Sequence, residues 1–270
     1  MARPNLSYLK NVILCLVGLP CGVLSGLTGM GASVLVTPLT RKLLSIGPGA
    51  RSATALAATL ACALGALLPY SQNGDVRWGL VIPLVLGQIF GASLGQGVAL
   101  RWAEQSRSRF INPIIVLIAG LAMVAGAPTI ATISGGRDLP LLIDLGGALI
   151  VGLLAGALGR IVGLGVFVVP AEILLLHLRP LEAQGTAIVA LAIASLPGML
   201  IYRRTGAFDA QSATWIAFGG LFGGLVGAYN AVHSISAYGQ VALYGALASV
   251  IGAFWVQSEI GRRAGAGQEQ

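Results

Sequence analysis

The sequence predicts an all-α integral membrane protein built from two inverted repeats, each a Gly-broken, re-entrant helical segment followed by three transmembrane helices. Three observations carry this reading. Of 270 residues, 56% are hydrophobic and 9% charged, with a mean hydropathy of +0.87 and 39 glycines, a composition foreign to soluble domains. A fixed offset of 132 residues superposes the second half of the chain on the first. In each half, one apolar stretch is too rich in glycine to run as a continuous helix.

Runs free of Asp, Glu, Lys and Arg extend over 11–40, 52–74, 79–100, 110–136, 183–202 and 210–258. Each can cross about 30 Å of hydrocarbon, and the last is long enough to cross twice. The first half therefore reads as a Gly-broken segment over 11–46 and spans over 52–71, 78–100 and 110–128. The second repeats that order over 141–177, 183–202, 210–230 and 236–257, so residues 1–132 and 133–270 are the two repeats. Arg3 and Lys10 ahead of an apolar run imitate a secretory leader, yet that run is the first element of the repeat, and it is read as retained.

The broken stretches are Gly22, Gly26, Gly29 and Gly31 running on to Pro38, and Gly152, Gly156 and Gly159 running on through Gly163 and Gly165 to Pro170. Glycines four and three apart share a helical face, while each weakens the helix by about 1 kcal/mol. Within a membrane, a broken helix persists only where protein or a water-filled cavity satisfies the freed backbone groups. These two stretches are therefore the expected substrate site.

The 132-residue offset pairs Gly31 with Gly163, Pro38 with Pro170, Pro48 with Pro180, Thr54 with Thr186 and Tyr70 with Tyr202. Glycines match cheaply; the paired Pro, Thr and Tyr argue for duplication. Gly87, Gly91 and Gly95, echoed by Gly219, Gly223 and Gly227, form a small-residue ridge suited to close helix packing. Orientation follows from Lys and Arg. With all eight segments crossing and the N-terminus inside, inner loops hold eight basic residues and outer loops seven. If each Gly-broken segment dips in and returns, twelve face in and only Arg77, Arg137 and Arg179 face out, as the positive-inside rule demands. A returning hairpin plus three crossings is an odd number, so the second repeat enters the membrane inverted.

A helix that starts inside the membrane points unpaired N–H groups and a partial positive charge at the break, which favours an anion. Arg160 is the sole ionisable residue of the 145–171 stretch and a candidate counter-charge for that anion, with snorkelling or a pair with Asp144 or Glu172 as alternatives. No acidic residue falls near the centre of any other span, which argues against metal or Na⁺ cargo. Ser25, Thr28 and Ser33 around the first break, Ser52 and Thr54 opening the next span, and Gln184 and Thr186 at the matching places supply donors for an oxyanion, alongside Gly29, Gly31, Gly163 and Gly165. Such hydroxyls also bond back to their own helix. Gln88 reads as an interhelical hydrogen bond, Tyr70 and Tyr202 as an interfacial belt, and His233 as a solvated turn residue.

Cys15, Cys21 and Cys62 lie inside apolar runs without CxxC spacing and read as buried small side chains. No metal or cofactor is called for. Net charge of +7 comes from scattered basic residues that set topology rather than bind nucleic acid. Ser25 lacks the strained elbow of a serine hydrolase, so no enzyme is expected. The surplus of Gly-faced spans admits a homodimer.

The Gly-rich stretch ending in Pro, then Pro180-Leu-Glu182-Ala-Gln-Gly185-Thr186, then Tyr202-Arg-Arg-Thr-Gly206, resembles the sulfite exporter TauE/SafE family of membrane transporters, in both halves of the chain. The resemblance implies a multi-pass permease of a bacterial-type inner (cytoplasmic) membrane that moves sulfite, sulfoacetate or another organosulfonate. An anion channel, or a transporter of a different small organic anion, is the alternative. The sequence departs from the family pattern at Gly31-Ala-Ser33 and Gly163-Leu-Gly165, where a triple glycine is common, and in Pro48-Gly-Ala-Arg51-Ser-Ala-Thr54, which keeps only the Pro and Thr of its motif.

Overall fold

A computed structural model describes residues 6–43, 48–104, 108–133, 140–162, 166–204 and 209–266. Among these it is entirely helical, with α1 Leu6–Thr28, α2 Ser33–Leu43, α3 Pro48–Gln72, α4 Trp78–Glu104 and α5 Ser108–Ile133 in the first half. The second half holds α6 Leu141–Val162, α7 Val168–Leu175, α8 Pro180–Arg204, α9 Ala210–Ser234 and α10 Ala237–Ala266. Eight of these helices are long and apolar enough to cross a membrane. The exceptions are α2 and α7, at 11 and 8 residues, which reach only about 16 and 12 Å. Both follow a break, and both breaks fall in the Gly-rich stretches.

The halves interlock through their glycine ridges. Gly18, Gly22 and Gly26 of α1 face Ile216, Gly220 and Gly224 of α9, while Gly219, Gly223 and Gly227 of α9 face Cys15, Leu19 and Val23 of α1. The same seam recurs between α4 and α6, where Gly87, Gly91 and Gly95 lie against Leu149, Leu153 and Ala157. At these positions a Cβ would meet neighbouring backbone, so only glycine permits the spacing. In each seam the numbering rises together along both helices, so the partners are parallel.

Helix directions follow from other paired contacts. Cys62 Sγ reaches Gly22 O at 3.4 Å and Tyr70 Oη reaches Gly26 O at 2.8 Å, so α3 runs parallel to α1. Tyr70 also meets Gln184, whereas Gly198 faces Leu56, so α3 and α8 run in opposite directions. Gly120 packs on Gly245 and Gly252 on Leu117, which makes α5 and α10 antiparallel as well. Two helices of each antiparallel pair are related by the 132-residue offset.

Tyr70 corrects an expectation. It is fully buried against α1 and α8 instead of sitting in an interfacial belt, because its hydroxyl finds two acceptors inside the fold. The outward faces of the long helices carry Leu16, Leu94, Ile118, Phe222 and Val250, as a surface solvated by lipid tails does.

Candidate functional site

The first break is a two-glycine turn. Thr28 ends α1 with its Oγ1 donating to Leu24 O at 2.7 Å and accepting weakly from Met30 N at 3.4 Å. Gly29 and Gly31 follow at φ +72° and +78°, a region that L side chains avoid. Gly29 lies directly against the backbone of Gln184 near the start of α8, and Gly31 against Leu191 and Thr59. The chain then opens α2 at Ser33, whose N–H donates to Thr59 Oγ1 at 2.9 Å. Thr59 is the twelfth of the 25 residues of α3, so α2 begins halfway along a membrane-length helix. Its positive end therefore lies deep in the protein.

In the second half α6 is described to Val162 and α7 from Val168, with Val166 and Phe167 forming a turn ahead of α7. Phe167 precedes α7 and provides no side-chain cap, and Val166 O accepts from Tyr244 Oη of α10 at 2.7 Å. Gly163, Gly165 and the side chain of Arg160 lie outside the described residues. The backbone of Arg160 belongs to the last turn of α6, whereas Asp144 lies in its first turn, 16 residues earlier on the same helix. That is about 24 Å of rise, which removes Asp144 as a partner.

Around Gln184 the two halves are tied by polar contacts. Tyr70 Oη approaches Gln184 Oε1 at 3.2 Å as well as Gly26 O, and the backbone N–H of Arg77 donates to Thr186 Oγ1 at 3.0 Å. Arg179 binds Glu182 through both its guanidinium, at 2.7 Å, and its backbone N–H, at 3.2 Å. Arg77 stands 4.0 Å from the same carboxylate. Burial pushes the Asp75 carboxyl above its ordinary value, against the opposing pull of the Asn73 amide and Arg179. The hydrogen bond from Arg179 to Glu182 raises the Arg179 guanidinium. This network joins the α3–α4 turn of the first half to the start of α8 in the second, beside Gly29 of the first break.

The structure thus gathers Gly29, Gln184, Thr186, Ser25 and Thr28 toward one end, with Gly31 and Ser33 deeper. Ser25 is fully buried beside the Cys62 thiol. Thr54 is elsewhere: its hydroxyl donates to Ala50 O at 2.8 Å, the local bond open to any helical threonine. Because α3 and α8 are antiparallel, Thr54 and Thr186 lie near opposite ends of the pair, about 20 Å apart by helix rise. One small anion touches only one of them at a time.

Two polar side chains differ from expectation. Among the described residues Gln88 finds no interhelical hydrogen bond: its amide N and O are both buried without a partner there, on the α4 face that packs against Gly156. Glu172 of α7 is fully buried, and neither carboxylate oxygen has a partner among the described residues. The sequence offers Glu172 only as an alternative partner for Arg160; its full burial is not legible there, because it stands near the end of its apolar stretch, where a carboxylate ordinarily faces water. The one available signal is its place two residues after Pro170, inside a helix otherwise composed of apolar side chains.

The sulfite exporter TauE/SafE profile matches residues 11–257, nearly the whole chain. The chain belongs to the TauE/SafE family. A protein of Xylella fastidiosa (strain 9a5c) named "Probable membrane transporter protein" is 26% identical over 209 residues, covering 76% of this chain and 79% of the relative. "Probable membrane transporter protein YunE" of Bacillus subtilis (strain 168) is 25% identical over 239 residues, covering 80% of this chain and 87% of its own. No solved structure matches the chain with significance. As a TauE/SafE protein, the chain is a multi-pass membrane transporter and not an enzyme.

Proposed function

We propose that this TauE/SafE protein is a secondary transporter that carries a small sulfur-containing anion, sulfite, sulfoacetate or another organosulfonate, across a bacterial cytoplasmic membrane by alternating access. The observation that carries the proposal is the pair of interrupted helices. A helix N-terminus at the middle of a membrane-length neighbour, α2 beside Thr59, presents a positive dipole end where an anion gains most from it. Its counterpart α7 opens at Phe167 without a side-chain cap.

The inverted arrangement of residues 1–132 and 133–270 belongs to the same proposal. Its support is directional. The short α2 must lead back, because α3 runs parallel to α1, and equivalent helices α3 and α8, or α5 and α10, run oppositely. In such a plan, equivalent residues face opposite sides of the membrane, so Gln184 and Thr186 line one approach to the cargo and Ser52 and Thr54 the other. The Glu182 network closes the first approach here. Opening it while the opposite approach closes would carry the anion across.

Arg160 supplies the counter-charge in this reading, at the end of α6 where the second break begins. A charge within the membrane costs at least about 2.5 to 3.5 kcal/mol, which a bound anion offsets. The test is flux of labelled sulfite and sulfoacetate into proteoliposomes. Saturable uptake with counterflow is expected, and Arg160→Gln abolishes it while the purified protein keeps its elution volume and helical content. Retained flux in Arg160→Gln would remove Arg160 from the mechanism. Uptake that neither saturates nor shows counterflow would mark a channel.

A further inference from the structure

Glu172 stands in the short helix α7 with 0% exposure, and both carboxylate oxygens are without a hydrogen-bond or ionic partner among the described residues. A buried ionised carboxylate with neither counter-ion nor donor is among the most costly arrangements a protein can hold. Among the described residues the surroundings do not relieve it. The elements packed on α7 are α5, α6 and α8, with α10 reaching the same region through Tyr244. Along α6 the ionisable residues are Asp144 and Arg160, at its two ends, and α5 carries only Arg109, in its first turn. On α8 the acidic residue is Glu182, engaged by Arg179, and an arginine pair closes its far end. From α10 the titratable group in the same region is Tyr244, whose hydroxyl donates to Val166 O. His177, just beyond α7, is itself held at φ 54° with Nδ1 buried and without a partner among the described residues.

We infer that Glu172 is a proton-binding site that couples anion transport to proton movement: it holds a proton in the closed arrangement of this structure and releases it when α7 and its surroundings open to water. The inference rests on the transporter reading above. Only the neutral acid suits the dry position seen here. An element that follows a helix break is the part of the fold freest to change its surroundings, so the same carboxyl meets water once the halves rearrange. The step moves one proton and no electrons. The Glu172 O–H bond breaks as a water on the open side accepts the proton, and re-forms from the other side on return.

Two measurements on the full-length protein decide it. In detergent at neutral pH, infrared spectroscopy is expected to show a carboxylic-acid C=O stretch that Glu172→Gln removes and Glu172→Asp restores in shifted form. In proteoliposomes loaded with a pH-sensitive dye, an imposed proton gradient is expected to drive sulfoacetate accumulation together with proton movement. Glu172→Gln, which keeps the shape of a protonated glutamate, is expected to lose gradient-driven accumulation by tenfold or more yet retain sulfoacetate exchange at equal pH. Absence of the infrared band in the wild-type, or undiminished gradient-driven accumulation in Glu172→Gln, would overturn the proposal. Should the wild-type move no sulfoacetate at all, the cargo assignment falls, and the infrared comparison decides Glu172 by itself: a band lost in Glu172→Gln upholds the buried proton site, and an unchanged spectrum refutes it.

Discussion

Gly29 and Gly74 share a backbone conformation but not an environment, which separates the two reasons a glycine is needed. Both have φ near +75°, at +72° and +77° respectively. A Cβ on Gly29 would press on the backbone of Gln184 at 2.9 Å, whereas one on Gly74 would meet open space. Gly74→Ala is therefore expected to cost only the left-handed penalty, about 1 to 2 kcal/mol. Gly29→Ala bears that penalty and also forces α8 away from the break, so its melting temperature in detergent should fall clearly below that of Gly74→Ala. Asp75 offers a second test through pH. Burial outweighs its favourable neighbours, so the folded state binds its proton more tightly than the unfolded chain does. For an acid raised in the fold, stability is fully present below the ordinary value of 3.8 and is lost as pH rises through the raised one. Asp75→Asn is thus expected to raise the melting temperature near neutral pH, with the gain vanishing in acid below the ordinary carboxylate range.

At the scale of helices, the glycine seams do for this fold what large apolar side chains do in water-soluble cores. Lipid tails solvate Leu as well as a neighbouring helix does, so association in a membrane depends on close approach and dispersion. Gly91→Leu in the α4–α6 seam is expected to destabilise the detergent-solubilised protein strongly, since its side chain would have to displace the Leu153 backbone. Gly79→Ala, at a position with open space, is expected to be neutral or stabilising. These seams were legible in the sequence because a four-residue spacing of glycines has few other uses in an apolar helix. The breaks were legible for a related reason: Gly29 and Gly31 together oppose helix continuation whatever surrounds them. Tyr70, Thr59, Gln88 and Glu172 were not. Their roles depend on which neighbour covers them, and neither hydropathy nor spacing records that Thr59 caps α2 from 26 residues away.

Across the whole molecule, helices α3 and α8, 132 residues apart in sequence, pair antiparallel, so residues matched at that offset stand toward opposite ends of the pair. Thr54 and Thr186 match at one offset in sequence yet stand about 20 Å apart in the fold. A list of polar residues drawn from sequence groups Thr54 with Thr186, and only helix direction separates them. The proposed alternating access requires the two halves to be inserted oppositely. Labelling with a membrane-impermeant maleimide tests this directly, in a background where Cys15, Cys21 and Cys62 are replaced. Gln72→Cys at the end of α3 and Ser236→Cys between α9 and α10 are both exposed positions. Opposite insertion predicts that both react from the outer face of intact cells, with Arg203→Cys reacting only after the membrane is opened. Reaction of Gln72→Cys from the inner face while Ser236→Cys reacts from the outer would mean eight plain crossings, and would contradict the account.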